Sequence, residues 1–249
     1  MITKAAETEA LKTVKTEEKP VLQTEKRTLP GQPEAYSEVK GRIIPALISR
    51  AANREFLQDK PFLQMEDLAV TYRISEIGRS GIRFTPVTRD MFRSYGVSLE
   101  ELHLNAVTAM KALMPAGLRL LEELVGDSMG DRMLEMKSVG SFLEEWRENG
   151  AGSCGKPIVL SNRILCGGAA AILDPETADV LAEAAGTDYL IIPSSVHELI
   201  VIPRVLGEEL GRMRSMVRRV NRTMVDESDV LSDHIYTYDY SERRLKIAQ

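Results

Sequence analysis

Cysteine, histidine and aromatic side chains are scarce in this chain of 249 residues, which has two cysteines, three histidines and 5% aromatics. Two cysteines, Cys154 and Cys166, cannot build a disulfide framework and read as free thiols of a reducing cytoplasm. A structural zinc site needs three or four convergent ligands. The candidates Cys154, Cys166, His103, His197 and His234 form neither Cys-x-x-Cys nor His-Glu-x-x-His, so no metal is expected. No cofactor is expected either. Gly167-Gly168 belongs to no Gly-x-Gly-x-x-Gly string and no Walker lysine follows it, so the pair reads as a place of close packing. Long apolar runs are also missing. The densest stretch, 188–205, is interrupted by Pro193 and Pro203, which argues against a transmembrane helix. Residues 1–20 carry lysine and glutamate at close intervals, unlike the apolar centre of a secretory signal. A cytoplasmic protein without a membrane partner is the expectation.

What the chain does have is charge and aliphatic mass in globular proportion: 28% charged, 43% apolar, and a formal net charge of −5. That mild acidity disfavours general nucleic-acid binding, although a net value can hide a local patch. The opening differs from the rest. Residues 1–40 hold seven basic and seven acidic side chains and three prolines, with few large aliphatics. Such a segment buries too little apolar surface to offset its ordering entropy, so residues 1–38 read as a disordered polar tail. Residues 39–249 read as one α+β domain in two halves, 39–126 and 156–249, joined by an irregular segment, 127–155.

Local patterns give the elements. Ile43, Leu47, Ala51 and Arg54 suggest a helix entered through Pro45. Leu68 to Ile74 and Ile82 to Thr85 read as strands around a turn at Gly78–Gly81. Thr88 can cap a short helix, and Ser98-Leu99-Glu100-Glu101 is a capping box for a longer one ending before Pro115. Leu118 to Val125 reads as helical. Pro157 to Leu160 and Leu165 to Leu173 read as a hairpin, with Asp174 capping the helix that follows. Tyr189 to Pro193 and Leu199 to Ile202 are strands. In the long helix after them, Leu206, Leu210, Met213, Val217, Val220 and Met224 form a core-facing stripe. Ile235 to Tyr238 and Leu245 to Ile247 make a last hairpin. Repeated hairpin-plus-helix units favour α+β architecture, with mostly antiparallel sheets and helices packed on one face.

Several strings together resemble a family: Asp67-Leu68-Ala69-Val70, Tyr95 to Leu102, Leu160-Ser161-Asn162 and Gly168-Ala169-Ala170. The most specific are Ile192-Pro193-Ser194-Ser195-Val196-His197-Glu198, Val220-Asn221-Arg222-Thr223 and Glu227 to Tyr238. Over roughly residues 39–245 the chain resembles an uncharacterised bacterial domain family of anaerobic gut bacteria, often carried on mobile genetic elements. The resemblance implies a shared fold and an accessory role in such an element. It implies no catalytic or binding residues.

Two clusters remain as candidate sites. Ser195, His197 and Glu198 form a hydroxyl–imidazole–carboxylate group beside apolar strands. Residues so close in sequence rarely converge on one reacting atom, and triads draw on separate segments. The cluster therefore reads as structural, with a hydrolase as the alternative if His197 lies in a concave pocket with an acid from another element, such as Asp233 or Asp67, and not at a convex hairpin tip or in a packed core. In the other cluster, segment 204–222 holds six arginines against Glu208 and Glu209. Arg214, Arg218 and Arg222 stand four apart on one helical face. They could contact an acidic protein or nucleic acid, or be a solvated face balanced by Asp226, Glu227, Asp229 and Asp233. The overall expectation is a non-enzymatic protein that binds a macromolecule, with a protein partner favoured over nucleic acid.

Overall fold

The computed structural model describes residues 34–78, 81–126, 136–149, 156–185, 189–203 and 210–249. Residues 1–33 of the expected polar tail, the joint around Gly150–Gly155, Cys154, and the start of the last long helix with Leu206 lie outside the described residues. Residues 34–38, expected as the end of that tail, are instead ordered, because Tyr36 packs on the Tyr95 ring and its Oη accepts from Asn105 Nδ2. The described chain falls into two compact units that meet in sequence at Met114 and Pro115. The sequence had placed the joint at 127–155. The second unit starts earlier because residues 116–120 pair into its sheet.

The first unit contains α1 (Tyr36–Val39), β1 (Ile43–Ser49), β2 (Phe62–Met65), β3 (Leu68–Gly78), β4 (Gly81–Pro86), α2 (Arg89–Tyr95) and α3 (Leu99–Leu113). Its sheet is organised by the long strand β3. β1 runs along one edge of it, while β2 and β4 share the other, β2 on Leu68–Thr71 and β4 on Arg73–Gly78. The helix expected around Pro45 is instead strand β1. Ile43, Ile44 and Leu47 are almost fully buried there, and an edge strand tolerates a proline because one side of its backbone has no ladder to serve. α2 and α3 begin as the sequence requires: Thr88 Oγ1 accepts from Met91 N–H, and Ser98 Oγ accepts from Glu101 N–H. α3 packs on β1. Its buried stripe is Leu102, Ala106, Val107, Ala109 and Met110.

The second unit contains β5 (Ala116–Leu120), α4 (Leu121–Gly126), β6 (Lys137–Ser138), α5 (Val139–Asn149), β7 (Ile158–Asn162), α6 (Pro175–Ala185), β8 (Tyr189–Ser195), β9 (Glu198–Pro203), α7 (Leu210–Met224), β10 (Tyr236–Asp239) and β11 (Arg244–Ile247). Its seven strands lie in the order β11-β10-β8-β9-β7-β5-β6, and every described pairing is antiparallel. The fold class is therefore α+β with antiparallel sheets. Two local expectations change. Residues 118–125 divide into a strand and a short helix, because Leu118 and Leu120 pair with β7. The strand expected at 165–173 is a 3-10 helix, Gly168–Leu173, entered through Gly167 at φ 65°. Its run of small residues lets it lie tight against β7 and the β8–β9 turn.

β8 and β9 are buried along nearly their whole length, so both faces of the sheet are covered there. Leu190, Ile192, Ile200 and Val159 form a cluster with Val217 of α7, Ile235 and Ala248. The alternate residues Tyr189, Ile191, Leu199 and Val201 point the other way. On that side, Tyr240 Oη donates to the Ala178 carbonyl of α6 and lies 3.0 Å from Tyr189 Oη.

Candidate functional site: the His197 turn and the arginine face of α7

β8 and β9 join through two residues, Val196 and His197, with Ser195 opposite Glu198. A β-bulge between Pro193 and Ser195 inserts Ser194 as an extra residue. Pro193, which has no N–H for the ladder, sits at this irregularity, and the bulge re-aims the neighbouring side chain. Ser194 Oγ thereby donates to Glu198 Oε1 at 3.0 Å. Ser195 Oγ accepts from the backbone N–H of His197 at 3.1 Å, closing the turn locally. The sequence thus brings Ser195, His197 and Glu198 together, and all three are buried.

The imidazole of His197 is held from both sides. Nδ1 accepts from Gly167 N–H at 3.0 Å, which places the ring proton on Nε2. Nε2 lies 3.5 Å from Asp229 Oδ2. Both ring nitrogens therefore face groups other than the Ser195 hydroxyl. In a nucleophile–base pair the base must reach the nucleophile's proton. Here the hydroxyl is turned to a backbone N–H.

The turn is also clamped along its backbone. Val196 N–H donates to the Asp229 carbonyl, Ala169 N–H to the Val196 carbonyl, and Ser161 Oγ to the His197 carbonyl. Gly168 allows this approach: a Cβ on it would lie 2.6 Å from the His197 carbonyl oxygen and 2.5 Å from Asn162 N. Close packing was expected at Gly167-Gly168 within a hairpin; it occurs at Gly168, against β7 and the β8–β9 turn and not inside a hairpin. Asn162 shapes the loop leading in. Its Oδ1 accepts from Ile164 and Cys166 N–H, and its Nδ2 donates to the Cys166 carbonyl. That loop includes Leu165 at φ 54°, a left-handed conformation that a leucine adopts only under such restraint.

The acid that reaches His197 is Asp229, which the sequence did not single out for that role. Asp233 instead accepts from Asn221 Nδ2 at 2.8 Å, and the same Nδ2 donates to the Ser232 carbonyl. Asp67 belongs to the first unit. The signal for Asp229 was present in the string Glu227 to Tyr238. Segment 226–234 touches both other specific strings, the His197 turn through Asp229 and α7 through Asn221. His103 is in the first unit, 3.2 Å from Tyr72 Oη, and His234 Nδ1 lies 3.4 Å from Ser232 Oγ. Among the described residues no three His, Cys, Asp or Glu side chains converge as a metal set.

α7 sets its apolar stripe on the sheet. Val217 joins the buried cluster, and Leu210 and Met213 pack against it. Its arginines divide. Arg214 is half-buried and donates to the Ala248 carbonyl, so it braces the C-terminal end of the chain rather than facing outward. Arg212, Arg218, Arg219 and Arg222 are exposed. Among the described residues no ion pair engages Arg218, Arg219 or Arg222; Arg222 Nε donates to the Arg218 carbonyl. The balancing acids expected downstream are turned elsewhere in part, Asp229 to His197 and Asp233 to Asn221. No described helix is long and apolar enough to cross a membrane.

No curated protein and no solved structure matches the chain. A family model matches residues 5–240, which takes in most of the opening polar segment as well as both units. The strings that meet around His197 and α7 lie within that match, and the chain belongs to a family of unknown function, DUF5688.

Proposed function

We propose that this chain is a non-enzymatic binding protein that acts through contact with an anionic macromolecule, and that the outward arginines of α7 form the contact surface. The observation that carries this reading is the exposure of Arg218, Arg219 and Arg222 on a helix whose apolar stripe is buried, with no ion pair to them among the described residues. The other polar cluster supports it by contrast. Ser195, His197 and Glu198 each have a partner that holds the β8–β9 turn, which leaves the hydrolase reading without a base directed at the hydroxyl. Of the three arginines the sequence singled out, Arg218 and Arg222 stay in the surface, Arg219 joins them, and Arg214 becomes a brace. A cytoplasmic accessory role in a mobile element fits a protein of this kind.

The test is affinity capture from a lysate of the source cells with the wild-type chain and with R218Q/R219Q/R222Q. Macromolecules held by the wild type are lost from the variant. Identical sets from both proteins would sink the reading, as would turnover of an ester or amide substrate that Ser195→Ala abolishes.

A further inference from the structure

We propose that the outward face of α7 docks on the phosphate backbone of double-stranded nucleic acid, without regard to base sequence. This deepens the reading of α7 as the contact surface by giving it one occupant. The exposed residues of the helix are Gly211, Arg212, Ser215, Arg218, Arg219, Arg222 and Thr223. No acid occurs in Leu210–Met224, and none of the exposed residues is a large apolar one. A protein partner is usually held by Trp, Tyr and Arg anchors packed in a water-excluding centre, where an aromatic ring supplies the apolar contact that arginine lacks. This face offers arginines without an aromatic or large apolar residue to form such a centre. Guanidinium forks are well suited to phosphate. Ser215 and Thr223 donate to the carbonyls of Gly211 and Arg219, so both hydroxyls lie back along the helix and leave the arginines proud of it.

Geometry favours a duplex. Fifteen residues of helix extend about 22 Å, and a duplex presents one charge per ~1.7 Å along its axis, so several arginines can meet phosphates at once. Single strands are gripped by aromatic platforms, and α7 has no aromatic residue. Base edges are read by arginine or lysine at guanine and by asparagine or glutamine at adenine, and a mixed site needs more than one kind. The one asparagine of α7, Asn221, is buried and bonded to Ser232 and Asp233. Asp226 and Glu227, exposed just beyond the helix, bound the surface at its C-terminal end.

The experiment is fluorescence anisotropy on the full chain. The probes are labelled DNA duplexes of two unrelated sequences, an RNA duplex and a DNA single strand of equal length, and labelled polyglutamate. Affinity is followed from about 50 to about 200 mM salt, where duplex binding through three arginines falls with a log–log slope of about −3. The two DNA duplexes bind alike, and the RNA arm shows whether both kinds of duplex are accepted. R218Q/R219Q/R222Q weakens binding at least about tenfold at the lowest salt and flattens the slope, while R218K/R219K/R222K retains it. Absence of duplex binding at low salt, preference for the single strand, or binding that the glutamine variant leaves intact overturns the inference. Binding of polyglutamate without the duplex also overturns it, yet leaves the broader reading of α7 as an anionic contact surface standing.

Discussion

Gly168 is the residue on which the His197 turn most depends. The atoms a side chain would meet there include a backbone carbonyl and a backbone nitrogen, which cannot rotate away as the end of a flexible chain can. Gly168→Ala is expected to destabilise the second unit by about 1–3 kcal/mol, read as a lower urea midpoint at unchanged slope. Asn162→Ala removes the partner of three backbone groups in the 163–166 loop, each costing about 1–3 kcal/mol when left unsatisfied, and its midpoint should fall too. A midpoint equal to wild type for Asn162→Ala would show that the loop does not need the side chain. In the first unit, burial lowers the affinity of the His103 ring for a proton, so the folded state favours the neutral imidazole. The unfolded chain then binds protons that the folded chain refuses. Stability is full above the ordinary histidine range and falls as the pH drops through it toward the lower folded value, by at most about 1.4 kcal/mol per pH unit. His103→Gln should flatten that decline between neutral and mildly acidic pH in urea titrations.

Among the elements, α3 gives the sharpest contrast. Leu102 is fully buried and Leu104, two residues on, is 68% exposed. Leu102→Ala should cost about 2–5 kcal/mol, Leu104→Ala less than about 0.5. The element scale also shows what the sequence could and could not reveal. The starts of α2, α3 and α6 were legible because Thr88, Ser98 and Asp174 act on backbone groups within three residues. The last hairpin and the stripe of α7 were legible for the same reason: the pattern is local. β1 was misread because Pro45 resembles a helix entry, and its strand character comes from β3, some 25 residues away. The 3-10 helix at 168–173 was misread because its shape follows from how closely the β8–β9 turn approaches it. For the candidate site, the arginines could be found by spacing, but the inward turn of Arg214 depends on Ala248 at the far end of the chain. Asp229 could not be assigned, since only the folded chain brings it to His197.

At the scale of the molecule, each unit closes its own sheet, with all its described strand pairings internal. Two transitions are therefore expected in calorimetry. Gly168→Ala should lower the one belonging to residues 115–249, and acidification should lower the one that contains His103. A single transition moved equally by both changes would show that the units unfold as one. The meeting of three strings at segment 226–234 has a further consequence. A change at Asn221 removes the amide that joins α7 to Ser232 and Asp233, and a change at Asp229 removes the acid beside the imidazole. One short segment thus ties the underside of α7 to the His197 turn, so a substitution in 226–234 should disturb both places at once while leaving the outward arginines of α7 in place.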